Sequence, residues 1–277
     1  MPMTPQPEVS LLTTRQQHER LHYDETYSRA VEKNSDGSPR FPPESHAFYC
    51  ISGAERRPHN QDWEFLHAIK QLSVENRDVL ELGCGAGHYT IVLAKLGAQV
   101  SALDISEAGV DLTRARARHY GLQRQVLLRV TSVENMDFDD ESFDVVVGTY
   151  ILHHIDIAVA ARQIRRVLRP GGTAMFLEWV RWSPFDRIRS SLLLRKIARP
   201  YINGEVTEDE RKLDDADFAV LRDHFRSVSL RRFYSLSRLR YFYPKSYSLL
   251  ERTDYWLYQR FPAFRNTGGA AIITLTK

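Results

Sequence analysis

Between residues 78 and 180 the chain alternates short, dense apolar runs with longer stretches of mixed polarity. The runs fall before Gly83, within Gln99–Ser106, within Val130–Phe138, within Ser142–Ile155 and at Thr173–Trp179. Each has strand length and is bounded by Gly, Asp or Ser. Runs this apolar predict strands buried on both faces, and strands that alternate with helices predict a parallel sheet. The first intervening helix is expected at His88–Leu96, and the second opens at Ser106–Glu107, where a hydroxyl can cap it and Asp104 and Glu107 suit its positive end.

Outside this region the period changes. Residues 1–15 are polar, hold three prolines and are expected to be disordered. Gln16–Glu32 predicts a helix, with Leu21, Tyr23, Tyr27 and Val31 at helical spacings. Residues 34–43 are rich in turn formers, and Asn60–Leu72 predicts a second helix that packs Trp63, Leu66 and Ile69. Beyond Trp179 the alternation stops. Arg181–Tyr201 reads as an amphipathic helix or helix pair, Asp214–His224 as a helix and Ser227–Tyr234 as a strand. Arg238–Arg260 reads as mainly helical and Ala270–Thr276 as a last strand. The organisation expected is an N-terminal tail and helical cap (1–72), an α/β core (73–180), and helical lid insertions with the last two strands (181–277).

The stretch Val79-Leu-Glu-Leu-Gly-Cys-Gly-Ala-Gly87 carries the chemistry. An apolar run ends in three glycines at alternate positions, as a strand does when its backbone must turn tightly against a ligand. The helix that follows points its free N–H groups at the same place. A dinucleotide would call for G-x-G-x-x-G and a resting place for pyrophosphate. Here the spacing is G-x-G-x-G, and Glu81 would repel phosphate. A ligand with an ammonium group and no phosphate suits the pattern better, and S-adenosylmethionine is one.

At these residues the chain resembles the class I S-adenosylmethionine-dependent methyltransferases, and more specifically those of ubiquinone and menaquinone biosynthesis and of natural products. The resemblance continues in order through Gln99–Ser106, Val130–Phe138, Ser142–Ile155, Leu168–Gly172 and Thr173–Trp179. It implies a Rossmann-like, doubly wound α/β fold: a seven-stranded sheet with a reversed C-terminal hairpin. It also implies a cofactor site. Gly83, Cys84, Gly85 and Gly87 would meet the methionine end, Glu81 would orient the ammonium, and Asp104 would take the ribose hydroxyls. Ile105 would pack on the adenine, and Ser132, Val133 and Glu134 would line its edge, where many relatives carry Asp-Ala. Thr149 and Tyr150 would stand beside the sulfonium.

Three residues are candidates for catalysis. His153 and His154 follow the fourth strand, where an imidazole can take a proton from a phenol or enol; the alternative is a loop that only shapes the pocket. Tyr27, with Tyr23, lies on the N-terminal helix, which in similar enzymes closes over the cofactor. His46, His59 and His67 are too dispersed for a metal site, and none is expected.

Charge and composition narrow the partners. A content of 43% hydrophobic residues is that of a globular core, and two cysteines suit a reducing compartment. No apolar run approaches the roughly 20 residues of a membrane span, and Met1–Thr14 lacks the cationic start and apolar core of a signal peptide. The expected location is cytoplasmic. The net charge of +3 is uneven: Arg181, Arg187, Arg189, Arg195, Lys196 and Arg199 face the single acid Asp186. Such a stripe suits either a solvated helix or peripheral contact with an anionic membrane through 181–199, aided by Ile188, Leu192, Leu193, Leu194 and Ile197. Nucleic acid is disfavoured, because Gly-Thr-Tyr-Ile-Leu-His-His stands where enzymes of base amino groups carry Asp/Asn-Pro-Pro-aromatic. The lid aromatics, among them Trp179, Tyr255, Trp256 and Tyr258, favour a small lipophilic acceptor methylated on oxygen or carbon, with amine or peptide N-methylation as the alternative. A protein that binds the cofactor without catalysis is a third reading. The sequence leaves the oligomeric state open.

Overall fold

A computed structural model describes residues 12–29, 37, 39–41, 61–181, 211–236, 247–261, 263–264 and 267–277. Helix α1 spans Thr14–Arg29 and α2 Gln61–Gln71. The core then runs β1 (Asp78–Leu82), α3 (His88–Lys95), β2 (Gln99–Asp104), α4 (Glu107–His119), β3 (Val126–Val130), β4 (Phe143–Thr149), α5 (Ile157–Val167) and β5 (Leu168–Trp179). After it come α6 (Asp215–His224), β6 (Ser227–Phe233), α7 (Tyr247–Arg260) and β7 (Ala270–Thr276). The expected membrane-contact helix of residues 181–199 lies, apart from Arg181, outside the described residues.

The strands form one seven-stranded sheet in the order β3-β2-β1-β4-β5-β7-β6. All neighbours are parallel except at β7, which runs antiparallel to β5 and to β6. This is the doubly wound sheet with a reversed C-terminal pair. Strand β1 pairs with β2 on one side and β4 on the other, so the strand order reverses there and leaves a crevice at the strands' carboxyl ends.

Side chains alternate faces along each strand, as the pleat requires. Leu80, Leu82, Val146 and Phe176 belong to a core covered by α5 and α6, where Ile164, Val167, Phe218 and Leu221 are buried. Val79, Val145, Val147 and Leu177 belong to the opposite core with Phe65 and Ile69 of α2 and Leu93 of α3. Three helices of the sheet carry the caps their sequences promise. Ser106 Oγ accepts from Gly109 N at 3.0 Å, Asp156 accepts from Ala158 N and Val159 N, and Asp214 with Asp217 closes a capping box on α6.

Three elements differ from expectation. The third strand ends, rather than begins, at Val130, because its partner β2 runs out at Asp104, which pairs with Val130. Residues 131–138 are a loop with a single 3₁₀ turn at Val133–Asn135. Strand β5 begins at Leu168, which pairs with Phe143, so the expected Leu168–Gly172 turn is a bulge inside the ladder. Helix α1 buries Gln16 and Glu19, whereas Leu21 is 67% exposed. Its inward stripe is polar. No helix among the described residues is long and apolar enough to cross a membrane.

Phe176 is fully buried in mid-β5. Phe176→Ala is expected to cost about 3–5 kcal/mol of stability. Urea unfolding should show a lower midpoint at an unchanged slope, and an unshifted midpoint would remove Phe176 from the core.

Candidate active site

The glycine turn leaves β1 at the crevice. Gly83, Gly85 and Gly87 have φ of 70°, 48° and 79°, in the left-handed region where glycine carries no penalty. The amides of Gly83 and Cys84 both donate to the Leu103 carbonyl, which ties the turn to the end of β2. Asp104 completes the tie: its carboxylate accepts from Gly85 N at 2.8 Å and from Ser106 N at 2.9 Å. Thr113 of α4 donates to Gly85 O at 2.8 Å. The backbone of the turn is therefore set by hydrogen bonds from β2 and α4 before any ligand arrives.

Glu81 is buried, and the Thr90 hydroxyl of α3 donates to it. Burial is the main cause that pushes its carboxyl up to about 8, with the Asp104 charge adding to it. Burial also raises the Asp104 carboxyl, opposed by its backbone hydrogen bonds. On the other wall, burial and the Arg116 guanidinium lower His88 to about 4.

A cavity of about 420 Å³ opens over the turn. It is lined by Glu81, Gly83, Cys84, Gly85, Asp104, Ile105, Ser132, Val133, Glu134, Thr149 and Tyr150, and by the catalytic candidates Tyr27 and His154. Two expected residues do not line it. Gly87 begins α3, and a Cβ there would lie 2.7 Å from the Thr113 hydroxyl, so this glycine permits helix packing behind the wall. His153 is buried and turned away, with Nδ1 2.7 Å from Glu178 Oε2.

The loop after β4 explains the divergence of the two histidines. Tyr150 has φ 54°, its ring stacks on Trp179 at 5.5 Å, and the Gln61 amide donates to its hydroxyl. A 3₁₀ turn, Leu152–His154, follows. Successive residues of such a turn point about 120° apart, so one imidazole faces the sheet and the other the cavity. The inward one, His154, lies between two groups of α1. Its Nε2 is 2.9 Å from Tyr23 Oη, and its Nδ1 is 3.4 Å from Glu19 Oε1.

Helix α1 closes the cavity. Tyr27 stacks on Tyr23 at 5.8 Å and rests on the turn so closely that a Cβ on Gly85 would lie 2.5 Å from its hydroxyl. Asp24 accepts from Ser106 Oγ at 2.6 Å and from Ala108 N at 3.1 Å, which docks α1 on the first turn of α4. Arg15 donates to the His154 carbonyl and lies 3.6 Å from Glu134. Gln16, Glu19, His88, Tyr89 and Ile151 also line the cavity and were not anticipated. The signal for the first two was present: Gln16, Glu19, Tyr23 and Tyr27 recur at three- and four-residue spacing on one helix face. An apolar search passes over such a stripe.

Among the described residues no group of three or more His, Cys, Asp or Glu is placed to hold a metal ion. The donor set suits the expected S-adenosylmethionine. Among the described residues that line the cavity are four acids and no lysine or arginine, with Arg15 against Glu134 at its edge, a balance that favours a cationic ligand. Ser132 Oγ is buried on the cavity wall with no hydrogen-bond partner among the described residues, which suits a polar ligand edge. The glycine turn leaves backbone space that a side chain would fill.

Residues 80–176 match a family described as a methyltransferase domain. A ubiquinone biosynthesis O-methyltransferase of Idiomarina loihiensis is 30% identical over 193 residues, which cover 65% of this chain and 73% of that one. A sterol 4-C-methyltransferase of Caenorhabditis elegans is 23% identical over 168 residues, or 60% of this chain and 48% of the relative. The chain thus spans about half the length of the nematode relative. A geranyl diphosphate C-methyltransferase of Streptomyces coelicolor, solved with Mg²⁺, geranyl diphosphate and S-adenosyl-L-homocysteine, superposes with a TM-score of 0.59 at 15% identity, over 95% of this chain and 98% of that one. The [4+2]-cyclase SpnF shares the fold with a TM-score of 0.54 at 21% identity, over 81% of this chain and 84% of that one, so the fold by itself leaves the reaction open.

Gly85→Ala puts a side chain where Tyr27 Oη sits, at a positive φ. The expected result is S-adenosylhomocysteine binding weakened about tenfold or more by calorimetry. An unchanged Kd would mean that Tyr27 and the turn do not form one wall of the ligand site.

Proposed function

The chain belongs to the class I S-adenosylmethionine-dependent methyltransferases, and from that premise we propose that it methylates oxygen or carbon of a small lipophilic or aromatic acceptor. S-adenosylmethionine, the family's cofactor, supplies an electrophilic methyl group on a sulfonium whose departure leaves a neutral thioether. Glu81 and the glycine turn would hold its methionine end, Asp104 its ribose, and Ile105, Ser132 and Val133 its adenine.

The observation that carries the acceptor reading is the line Tyr23–His154–Glu19 on the cavity wall. A hydroxyl or enol acceptor loses a proton as it gains the methyl group, and this line is arranged to take it. Nε2 is within hydrogen-bond distance of Tyr23 Oη, and Glu19 stands 3.4 Å from Nδ1 without a hydrogen bond to it, so that a carboxylate charge lies beside the ring. A proton passed to Tyr23 can therefore move to His154, and the Glu19 carboxylate stabilises the resulting imidazolium. The logic is that of a hydroxyl–imidazole pair with a carboxylate nearby that offsets the charge the ring gains. Tyr27 and α1 exclude water from the same space. The O- and C-methyltransferase names of the relatives support this class of acceptor, and the half-buried Trp179 beside Tyr150 supports an apolar one.

The test is label transfer from methyl-labelled S-adenosylmethionine to an extract of source cells. Label is expected in the organic-soluble fraction; label in nucleic acid or protein would overturn the small-acceptor reading. With that acceptor, His154→Ala is expected to lower turnover by about 10²- to 10⁴-fold, and Tyr23→Phe by less, while S-adenosylhomocysteine affinity stays within about threefold. Full turnover in both variants would dismiss the proton line.

Glu81 gives a pH prediction. With its carboxyl raised to about 8, the free protein holds a proton there that the unfolded chain has already lost. Its contribution to stability is complete below the unfolded value of 4.5 and is lost as pH rises through about 8. An ammonium group beside it favours the ionised form, so cofactor binding below pH 8 releases protons. Affinity for S-adenosylhomocysteine should then rise from pH 6 to 8, and calorimetry in buffers of different ionisation heats should show the release. Glu81→Gln should abolish it; an equal release in that variant would assign the proton elsewhere.

A further inference from the structure

Of the buried acids outside the mechanism, one holds the active-site loop. Glu178, fully buried on β5, has no contact with the cavity. Its carboxylate reaches across to the loop after β4 and receives three consecutive donors. Oε1 accepts from Ile151 N and from Leu152 N, each at 2.6 Å, and Oε2 pairs with His153 Nδ1 at 2.7 Å. A carboxylate buried this completely costs free energy unless its oxygens are satisfied, and here both are. The three donors flank the residues that matter at the cavity. Tyr150 precedes them in a left-handed conformation. Ile151 packs under the glycine turn, within 3.0 Å of where a Cβ on Gly83 would be. His154 follows them directly.

We infer that Glu178 is the positioning residue of the active-site loop, and that His153 serves as its third tether rather than as a base. Tyr150 N donates to Leu177 O of β5, and the next two amides of the loop, Ile151 N and Leu152 N, both donate to this carboxylate. The carboxylate continues that ladder with two amide bonds and a side-chain bond, and so fixes how far Ile151 stands under Gly83 and which imidazole turns inward. The same carboxylate sets the tautomer of His153, because an acceptor at 2.7 Å requires the ring proton on Nδ1. The inference rests on the cavity being the cofactor site and is independent of whether His154 acts as a base.

Three variants test it: E178A, E178Q and, as a control for stability alone in the core on the other face of the sheet, I69A. The readouts are S-adenosylhomocysteine Kd by calorimetry, well below each melting temperature, and the histidine ring protons by ¹⁵N-resolved NMR. E178A is expected to weaken binding about tenfold or more, through displacement of Tyr150 and Ile151. E178Q keeps one oxygen for the two amides and should stay within about threefold of the parent. Its amide can only donate to His153, so the ring proton should move from Nδ1 to Nε2. I69A should lower the melting temperature and leave the Kd unchanged, which separates positioning from stability. Unchanged affinity in E178A overturns the inference. If E178A does not fold, E178Q decides: a ring proton still on Nδ1 overturns it. Full turnover in His154→Ala would sink the proton line and leave these outcomes untouched.

Discussion

The site depends on the position of β1 between β2 and β4. The chain leaves β1 toward α3 and leaves β4 toward α5, and the two cores lie on opposite faces of the sheet. Two loops therefore part at one point and leave a crevice between them. The sheet gives that crevice its walls before any side chain is considered. Asp104 then makes it a site. By accepting from Gly85 N and Ser106 N it joins the end of β2 to the glycine turn and to the start of α4. The same carboxylate lines the cavity, so the structural tie and the proposed ribose contact would share its oxygens.

Electrostatics decides which ligand the crevice prefers. Glu19, Glu81, Asp104 and Glu134 line one cavity, and burial raises Glu81 and Asp104 above the usual carboxylate range. Acids confined at low dielectric resist ionising together, and a cation beside them favours their ionised forms. A phosphate would add to the repulsion. This explains why a Rossmann-like turn binds here a ligand with ammonium and sulfonium groups rather than a dinucleotide.

The cover over the site is polar. Helix α1 is held by Asp24 on α4, by Arg20 3.5 Å from Glu107, and by Tyr23 and Arg15 on the β4 loop. Partly exposed ion pairs and single hydrogen bonds are each worth about 1 kcal/mol. A helix held that way separates from its seat more readily than one with an apolar face, which suits a cover over a ligand that must enter and leave. The β4 loop below it is held differently, by one fully buried carboxylate with three donors. The site thus pairs a cover held by polar contacts with a floor tied by one buried carboxylate.

The sheet and most residues of the cavity's glycine-turn wall were legible in the sequence because both are written locally. Apolar runs, alternate glycines and an acid at the end of the second strand occupy neighbouring positions, and the backbone that joins them has few alternatives. The end of β3 and the bulge in β5 were misjudged because strand pairing, not composition, sets where a ladder stops. The polar stripe of α1 was hidden because burial of Gln16 and Glu19 depends on a cavity formed by distant residues. His153 and His154 are adjacent and chemically identical in sequence. Only the 3₁₀ turn, and Glu178 25 residues beyond His153, decide that one imidazole ties down a loop while the other faces the ligand. Sequence by itself determined which groups reach the sheet's ligand edge; tertiary structure decided which way each one points, because orientation depends on partners that only folding brings together.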